Sequence, residues 1–350
     1  MKYEPITIKD IAKALGLSNS TVSRALRDSY EISIETKKTV LEYAGRMNYR
    51  PNPIALSLKE RRTRSIGIVV SEIANSFFSQ AINGIESIAR ERGYNVIITQ
   101  TQESAEREID NIQHLASRSV DGILISLSSK TTDLSYLTSL HEKGMPVVFF
   151  DRVADEIKTH KVITNNYQGA YDATVHLITS GFKQIAFLGN AAHLSIIKER
   201  MAGYMDAHRD HQLPVNEAMI KYCAHGGMIY EEAEDALKSL LKARKKPDAI
   251  LACADKLTTN CLRYFNKNKI RVPEDIALVG FSNLVLTELL KPSLSVIRQP
   301  AFEIGQQAIE LLLQLIESKR PVRTFEHRSL PAQLFIRESS AKKAVKAKQK

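Results

Sequence analysis

Asn19, Ser20, Thr21, Ser23, Arg24 and Arg27 follow one another closely and bring short hydrogen-bonding groups, two guanidinium groups and no acid. Such a set can hold phosphate oxygens and read base edges in a DNA major groove, where one arginine takes O6 and N7 of a guanine together. A second set is scattered along the chain: Asn75, Phe77, Phe78, Asp151, Arg152, Asn165, Arg200, Asp255, Phe281, Ser282 and Gln299. Carboxylates, guanidinium groups and amides suit the hydroxyls of a polyhydroxylated small molecule, and aromatic rings suit its C–H faces.

The first set needs a helix to present it. Thr7 is placed to cap a helix, with Asp10 three residues on, close to a capping box. Ile8, Ile11, Ala12 and Leu15 form an apolar stripe and Gly16 follows as a helix stop. Ser18 caps a second helix whose Val22 and Leu26 turn back to the first. This is a helix-turn-helix pattern. A third helix, Ser33 to Asn48, offers Val40, Leu41, Ala44 and Met47 as its buried face. Tyr49-Arg50-Pro51-Asn52-Pro53 then breaks the chain, and Pro53 opens a short apolar helix, Ile54 to Lys59, followed by Arg61, Arg62 and Arg64. A helix this short is marginal alone. It reads either as a hydrophobic wedge for a minor groove that orders on its partner, or as a plain linker packed on the body.

The second set needs strand ends. Apolar runs at Ser65–Val70, Tyr94–Thr99, Gly122–Leu127 and Pro146–Phe150 alternate with helices at Phe77–Arg92, Ala105–Ser117 and Leu134–Lys143. The pattern restarts with helices at Gly169–Ser180, Ile197–Arg209, Tyr230–Arg244 and Leu257–Asn266 around strands at Gln184–Leu188, Asp248–Cys253 and Ile276–Phe281. Continuous apolar strands spaced by amphipathic helices predict parallel sheets covered on both faces. The expectation is an α/β chain: a three-helix head over 1–50, a hinge over 51–64, and two doubly wound parallel-sheet lobes within 65–340. The first lobe spans 65–161 plus a late crossover, and the second 162–290 plus 324–337. Helix Ala301–Glu317 and strand Gln333–Arg337 cross back between lobes. The Lys-rich tail over 341–350 is expected to be disordered. The scattered candidates sit just past strand ends, facing a cleft between lobes. Asp151–Arg152 could instead be a local salt bridge, and Phe77 a helix-face core residue.

Charge divides in the same places. Residues 1–64 hold 13 Lys and Arg against 7 Asp and Glu, the last ten residues hold five Lys and no acid, and 65–340 nets −1 within a total of +10. A basic head suits a polyanion. Three cysteines without metal spacing exclude a disulfide framework. No secretory leader or membrane span is visible, so a cytoplasmic protein with no membrane partner is expected. No dinucleotide fingerprint, P-loop or Ser/His/Asp motif is present, so neither an enzyme nor a cofactor is expected. His208 and His211 could share a metal, but three apart on a helix they read as a solvated face.

DIAKALGLSNSTVSRAL, YRPNPIALSLK and RSIGIVV together resemble the start of a LacI/GalR-family transcription regulator, and the likeness runs more loosely to about Arg337. It implies a periplasmic-binding-protein-like body and a homodimer, read here as a repressor, with recognition helices in two half-sites of a pseudo-palindromic operator. It implies base reading by Asn19, Ser20 and Arg24, backbone contacts from Thr21 and Ser23, an intercalating Leu58 and a minor-groove Ala55. The whole candidate DNA-facing set is Thr7, Ser18, Asn19, Ser20, Thr21, Ser23, Arg24, Arg27, Tyr49, Asn52, Ala55, Leu58 and Lys59. Family effectors, sugars or nucleotide-related molecules, bind at the cleft positions. Two departures bear on the effector. Ser282 stands where many members have Asp, and Lys256-Leu257-Thr258-Thr259-Asn260-Cys261 replaces a run usually containing Ala and Gly. A sugar-like effector is the expectation and a nucleobase the alternative. A solute-binding protein of transport would share the two lobes but not the basic head.

Overall fold

A computed structural model describes residues 6–50 and 62–341. The chain divides into a unit ending at Thr63 and a unit beginning at Arg64.

In the first unit, helices α1 (Ile8–Leu15), α2 (Asn19–Ala25) and α3 (Ile34–Arg46) close on Ile11, Ala12, Val22, Ala25, Val40 and Ala44. Local chemistry sets their ends. Thr7 and Asp10 form the reciprocal capping box, Gly16 takes a left-handed φ of 63°, and the Ser18 and Ser33 hydroxyls accept from the Thr21 and Thr36 amides. Leu41 and Met47, expected to be buried, are 52% and 45% exposed. Val40 and Ala44 lie one turn apart and take the inward stripe. Leu41 is rotated about 100° away from it, and Met47 falls where the helix ends.

The second unit holds two sheets. The first contains β1 (Ser65–Val70), β2 (Asn95–Gln100), β3 (Gly122–Ile125), β4 (Val147–Phe150), β5 (Lys161–Thr164) and β11 (His327–Leu330), in the order β11-β5-β4-β3-β1-β2, all parallel. The second contains β6 (Ile185–Gly189), β7 (Ile220–Tyr222), β8 (Ala249–Ala252), β9 (Ala277–Phe281), β10 (Ser295–Arg298) and β12 (Gln333–Phe335), in the order β12-β10-β9-β8-β6-β7. Here only β12 runs antiparallel, against β10. Helices α4 (Ser76–Glu91), α5 (Ala105–Ser117) and α6 (Ser135–Glu142) connect the first sheet. Helices α7 (Asn166–Thr179), α8 (Ser195–Asp210), α9 (Tyr230–Lys242) and α10 (Asp255–Lys267) belong with the second.

The lobe boundaries differ from the sequence expectation. Strand β5 belongs to the first sheet, past the expected limit at 161, and β11 joins the first sheet although 324–337 was assigned to the second lobe. These strands have four residues each, and their membership is set by pairing with each other rather than by local pattern. Short β7 and β10 were likewise missed. The chain therefore passes between sheets after β5, after β10 and after β11. Helix α11 (Ala301–Glu317), which follows β10, packs with α4 on the core of the first lobe. The approach is close: a Cβ at Gly84 would lie 2.0 Å from the Phe302 carbonyl, and one at Gly305 would lie 2.0 Å from that of Ala81.

Candidate DNA-binding face and ligand cleft

In the head, Asn19, Ser20 and Arg24 are exposed along α2 and Arg27 just beyond its end, while Thr21 and Ser23 are half-buried. Several of these groups are already engaged. The Ser18 hydroxyl lies 2.8 Å from those of Ser20 and Thr21, and Arg27 Nη2 donates to Ser23 Oγ at 2.8 Å. Thr7 is spent on its capping box. Tyr49 packs against the head core, and burial pushes its phenol up while nearby Arg27 pulls it down. The face is not free of acid, as the sequence had implied: Glu31, from the loop before α3, places Oε2 2.9 Å from Arg24 Nη1. Asn52, Ala55, Leu58 and Lys59 lie outside the described residues, as does 342–350 of the tail.

In the body, the C-terminal ends of parallel strands meet between the lobes, and most candidates lie there. Asp151 follows β4 with φ 60° and is buried. Ser126 Oγ donates to its Oδ2 at 3.3 Å. Burial pushes its carboxyl up, against the pull of Arg152, Arg200, Ser126 and Gln299. Arg200 comes from α8 in the other lobe. Its Nε donates to Asn166 Oδ1 at 2.9 Å, its Nη1 to the Cys253 carbonyl at 2.7 Å, and its guanidinium lies 3.7 Å over the Phe281 ring. Burial lowers its pKa to about 10. Asp255 opens α10. It accepts from Ser282 Oγ and from the Ser76 backbone amide of the opposite lobe, while burial pushes its carboxyl up. Gln299, on the second crossing, donates from Nε2 to Thr164 Oγ1 on the first, at 3.1 Å.

Other candidates are occupied elsewhere. Arg152 Nη1 is bound by both Glu103 oxygens at 2.9 and 2.8 Å and by the Leu127 carbonyl at 3.1 Å. Arg152 is thus ion-paired to Glu103, and its Nε stands 4.0 Å from the Asp151 carboxylate, buried and with no hydrogen-bond partner. Phe77 lies in the first lobe's core, as its core alternative describes, and Phe78, for which only a ligand role was expected, is buried there too, edge-on to Phe150. Asn75 caps α4 through the Phe77 and Phe78 amides, and Asn165 caps α7 through that of Gln168. His208 is not on a solvated face. It is buried, its ring tilted 53° against that of Tyr204 with centroids 4.3 Å apart, and bonded to the Tyr204 carbonyl. Among the described residues no group of three or more His, Cys, Asp or Glu could hold a metal.

Sequence reading missed the bonds that join the lobes. Gln80 and Asn283 exchange hydrogen bonds at 3.1 and 2.8 Å, and Lys256 Nζ meets Glu72 Oε1 at 3.0 Å. Ser129 Oγ donates to the Ala224 carbonyl at 3.0 Å. It also missed Glu103 and Asn190, although both follow strand ends and the rule used for Asp151 covers them. Asn190 is buried and its Nδ2 has no hydrogen-bond partner. The polar groups brought together between the lobes, Asp151, Arg200, Asp255, Ser282 and Gln299, offer both hydrogen-bond donors and acceptors.

The comparisons with known proteins agree with this two-part build. Residues 7–52 match the family model described as bacterial regulatory proteins, lacI family, and residues 63–338 match that for periplasmic binding proteins and sugar binding domain of LacI family. The HTH-type transcriptional repressor PurR of Vibrio campbellii is 33% identical over 313 residues, 89% of this chain and 92% of that protein. A solved complex of the transcriptional regulator CelR with cellobiose superposes with TM-score 0.70 at 28% identity, over 95% of this chain and 99% of the other. The lac repressor dimer bound to operator and an anti-inducer superposes with TM-score 0.80 at 23% identity, over 97% and 100%, a likeness of fold.

Proposed function

The chain belongs to the LacI family of bacterial regulatory proteins, whose members bind operator DNA and small-molecule effectors as dimers, and on that premise we propose how this member uses its own residues. It is a transcriptional regulator with an effector-binding domain and not an enzyme, as its repressor relatives are.

Our reading is a cytoplasmic homodimeric repressor. In each protomer Asn19, Ser20 and Arg24 face bases of one half-site, and Thr21, Ser23 and Arg27 face the backbone. Leu58 and Ala55 of the paired hinges meet the central minor groove. The effector lies between lobes against Asp151, Arg200, Asp255, Ser282 and Gln299, and its class is sugar-like. The observation that carries this is the burial of two ionisable groups from opposite lobes, Asp151 and Arg200, near enough for the charge of each to act on the other. A ligand with several hydroxyls can donate to Asp151 and Asp255 while accepting from Arg200 and Gln299. CelR is a relative in fold whose solved complex holds a disaccharide. A nucleobase is the second reading. It is favoured by the missing carboxylate at position 282.

Binding changes how the lobes close, closure changes the separation of the hinges in the dimer, and hinge spacing changes operator affinity. Calorimetric titration of the full chain with mono- and disaccharides and with purine bases tests the site. Sugar binding lost in Asp151→Asn supports the first reading, and binding by bases alone replaces it with the second.

A further inference from the structure

Glu31 is an acid placed on a face built to meet a polyanion. The loop between α2 and α3 folds back on the recognition helix. The Ser29 amide donates to the Arg24 carbonyl at 3.1 Å, Asp28 turns the chain at φ 57° and is held by Lys37 Nζ at 2.7 Å, and the Glu31 amide lies 3.4 Å from Ser29 Oγ. That fold delivers Glu31 Oε2 to within 2.9 Å of Arg24 Nη1. The Glu31 side chain is 45% exposed and that of Arg24 57%, so neither is held by burial.

We propose that Glu31 is a specificity-determining residue that buttresses Arg24, setting the plane of its guanidinium for one guanine and penalising every other approach to DNA. The proposal rests on the reading of Arg24 as a base-reading residue. A guanidinium has five N–H donors in one plane, and guanine uses two of them in parallel. A carboxylate on Nη1 takes one of the remaining donors and stops rotation of the group, so less freedom is lost when the base contact forms. In water an exposed pair of this kind is weak. In the groove, where water is displaced, screening falls and the pair strengthens. The same negative charge faces phosphates whatever the sequence, so it weakens binding to random DNA. Both effects raise the ratio of specific to non-specific binding, which decides occupancy in a genome.

The test is selection of half-sites from a randomised duplex library, at fixed salt, by the full chain and by Glu31→Gln, Glu31→Ala and Arg24→Ala. Affinity for random duplex is measured in parallel. Both Glu31 variants are expected to flatten the preference at the one base position that Arg24→Ala abolishes, and to bind random duplex at least about threefold more tightly, as loss of one opposing charge requires. The double variant Arg24→Ala/Glu31→Ala is expected to show no further change at that position. If Arg24→Ala abolishes a base preference that both Glu31 variants leave intact, the buttress is overturned and the base reading stands. If Arg24→Ala changes no preference, the base reading fails and the buttress fails with it.

Discussion

Gln80 of α4 and Asn283 beyond β9 are locked face to face across the two lobes. Gln80 Nε2 donates to the Asn283 carbonyl at 3.1 Å, and Asn283 Nδ2 returns a bond to Gln80 Oε1 at 2.8 Å. Asn283 is also tied to the second crossing, through Nδ2 to the Gln299 carbonyl at 2.8 Å and from the Gln299 amide to Oδ1 at 3.0 Å. The amide pair thus couples lobe closure to a strand crossing that lines the cleft.

Removing that pair should favour the open form. Two hydrogen bonds at about 1 kcal/mol each predict that Gln80→Ala weakens effector binding roughly 5- to 30-fold. It should also enlarge the ligand-free chain in small-angle scattering. Unchanged affinity together with an unchanged radius would show that closure does not depend on the pair.

Asp151 carries a pH dependence with a definite sign. Its buried carboxyl is raised above its ordinary value, so across the window between the two the folded chain holds the proton that the unfolded chain has lost. Stability therefore falls as pH rises through that window. Asp151→Asn should flatten this slope in urea melts taken across the acidic range and should abolish effector binding. A ligand that donates hydroxyls to Asp151 favours the ionised form, so binding in the same window should release protons to buffer. Calorimetry in buffers of different ionisation enthalpy reads that release.

Much of this was legible because it is local. The Thr7–Asp10 box, the Ser18 and Ser33 caps and the left-handed Gly16 depend on residues within one helical turn. What was missed depends on distant partners. Lys161–Thr164 and His327–Leu330 are too short to announce their sheet, and they are neighbours only because the chain crosses between lobes three times. Phe77 obeys the strand-end rule and still lies in the core, on the first turn of the helix that Asn75 caps. Glu103 obeys the same rule, and its pairing with Arg152 Nη1 could not be read from spacing. Glu31 reaches Arg24 through a loop whose course no periodicity encodes.

Gly84→Ala sets two effects against each other. Alanine improves helix propensity by about 1 kcal/mol. The added methyl, however, meets the Phe302 backbone carbonyl 2.0 Å away, and backbone cannot rotate aside. Overpacking of this kind costs about 1–3 kcal/mol, so a lower urea midpoint is expected. A midpoint equal to or above the parent's would mean that α4 and α11 can part without loss.

Leu58→Ala tests the hinge assignment. If Leu58 wedges between base steps as proposed, its loss should weaken operator binding about 10-fold or more, by the ~1.5–3 kcal/mol of its burial. Binding to random duplex should change little. Equal losses on operator and random DNA would reduce Leu58 to a linker residue.

The central claim is that one chain joins sequence-specific DNA binding to a ligand between its lobes. Its most direct test is the affinity of the full-length protein for a selected palindromic duplex, measured across salt with and without sugars and nucleobases. The account predicts a steep salt slope and a shift of at least about tenfold with one class of ligand. Affinity that no ligand moves, or binding without sequence preference, would contradict it.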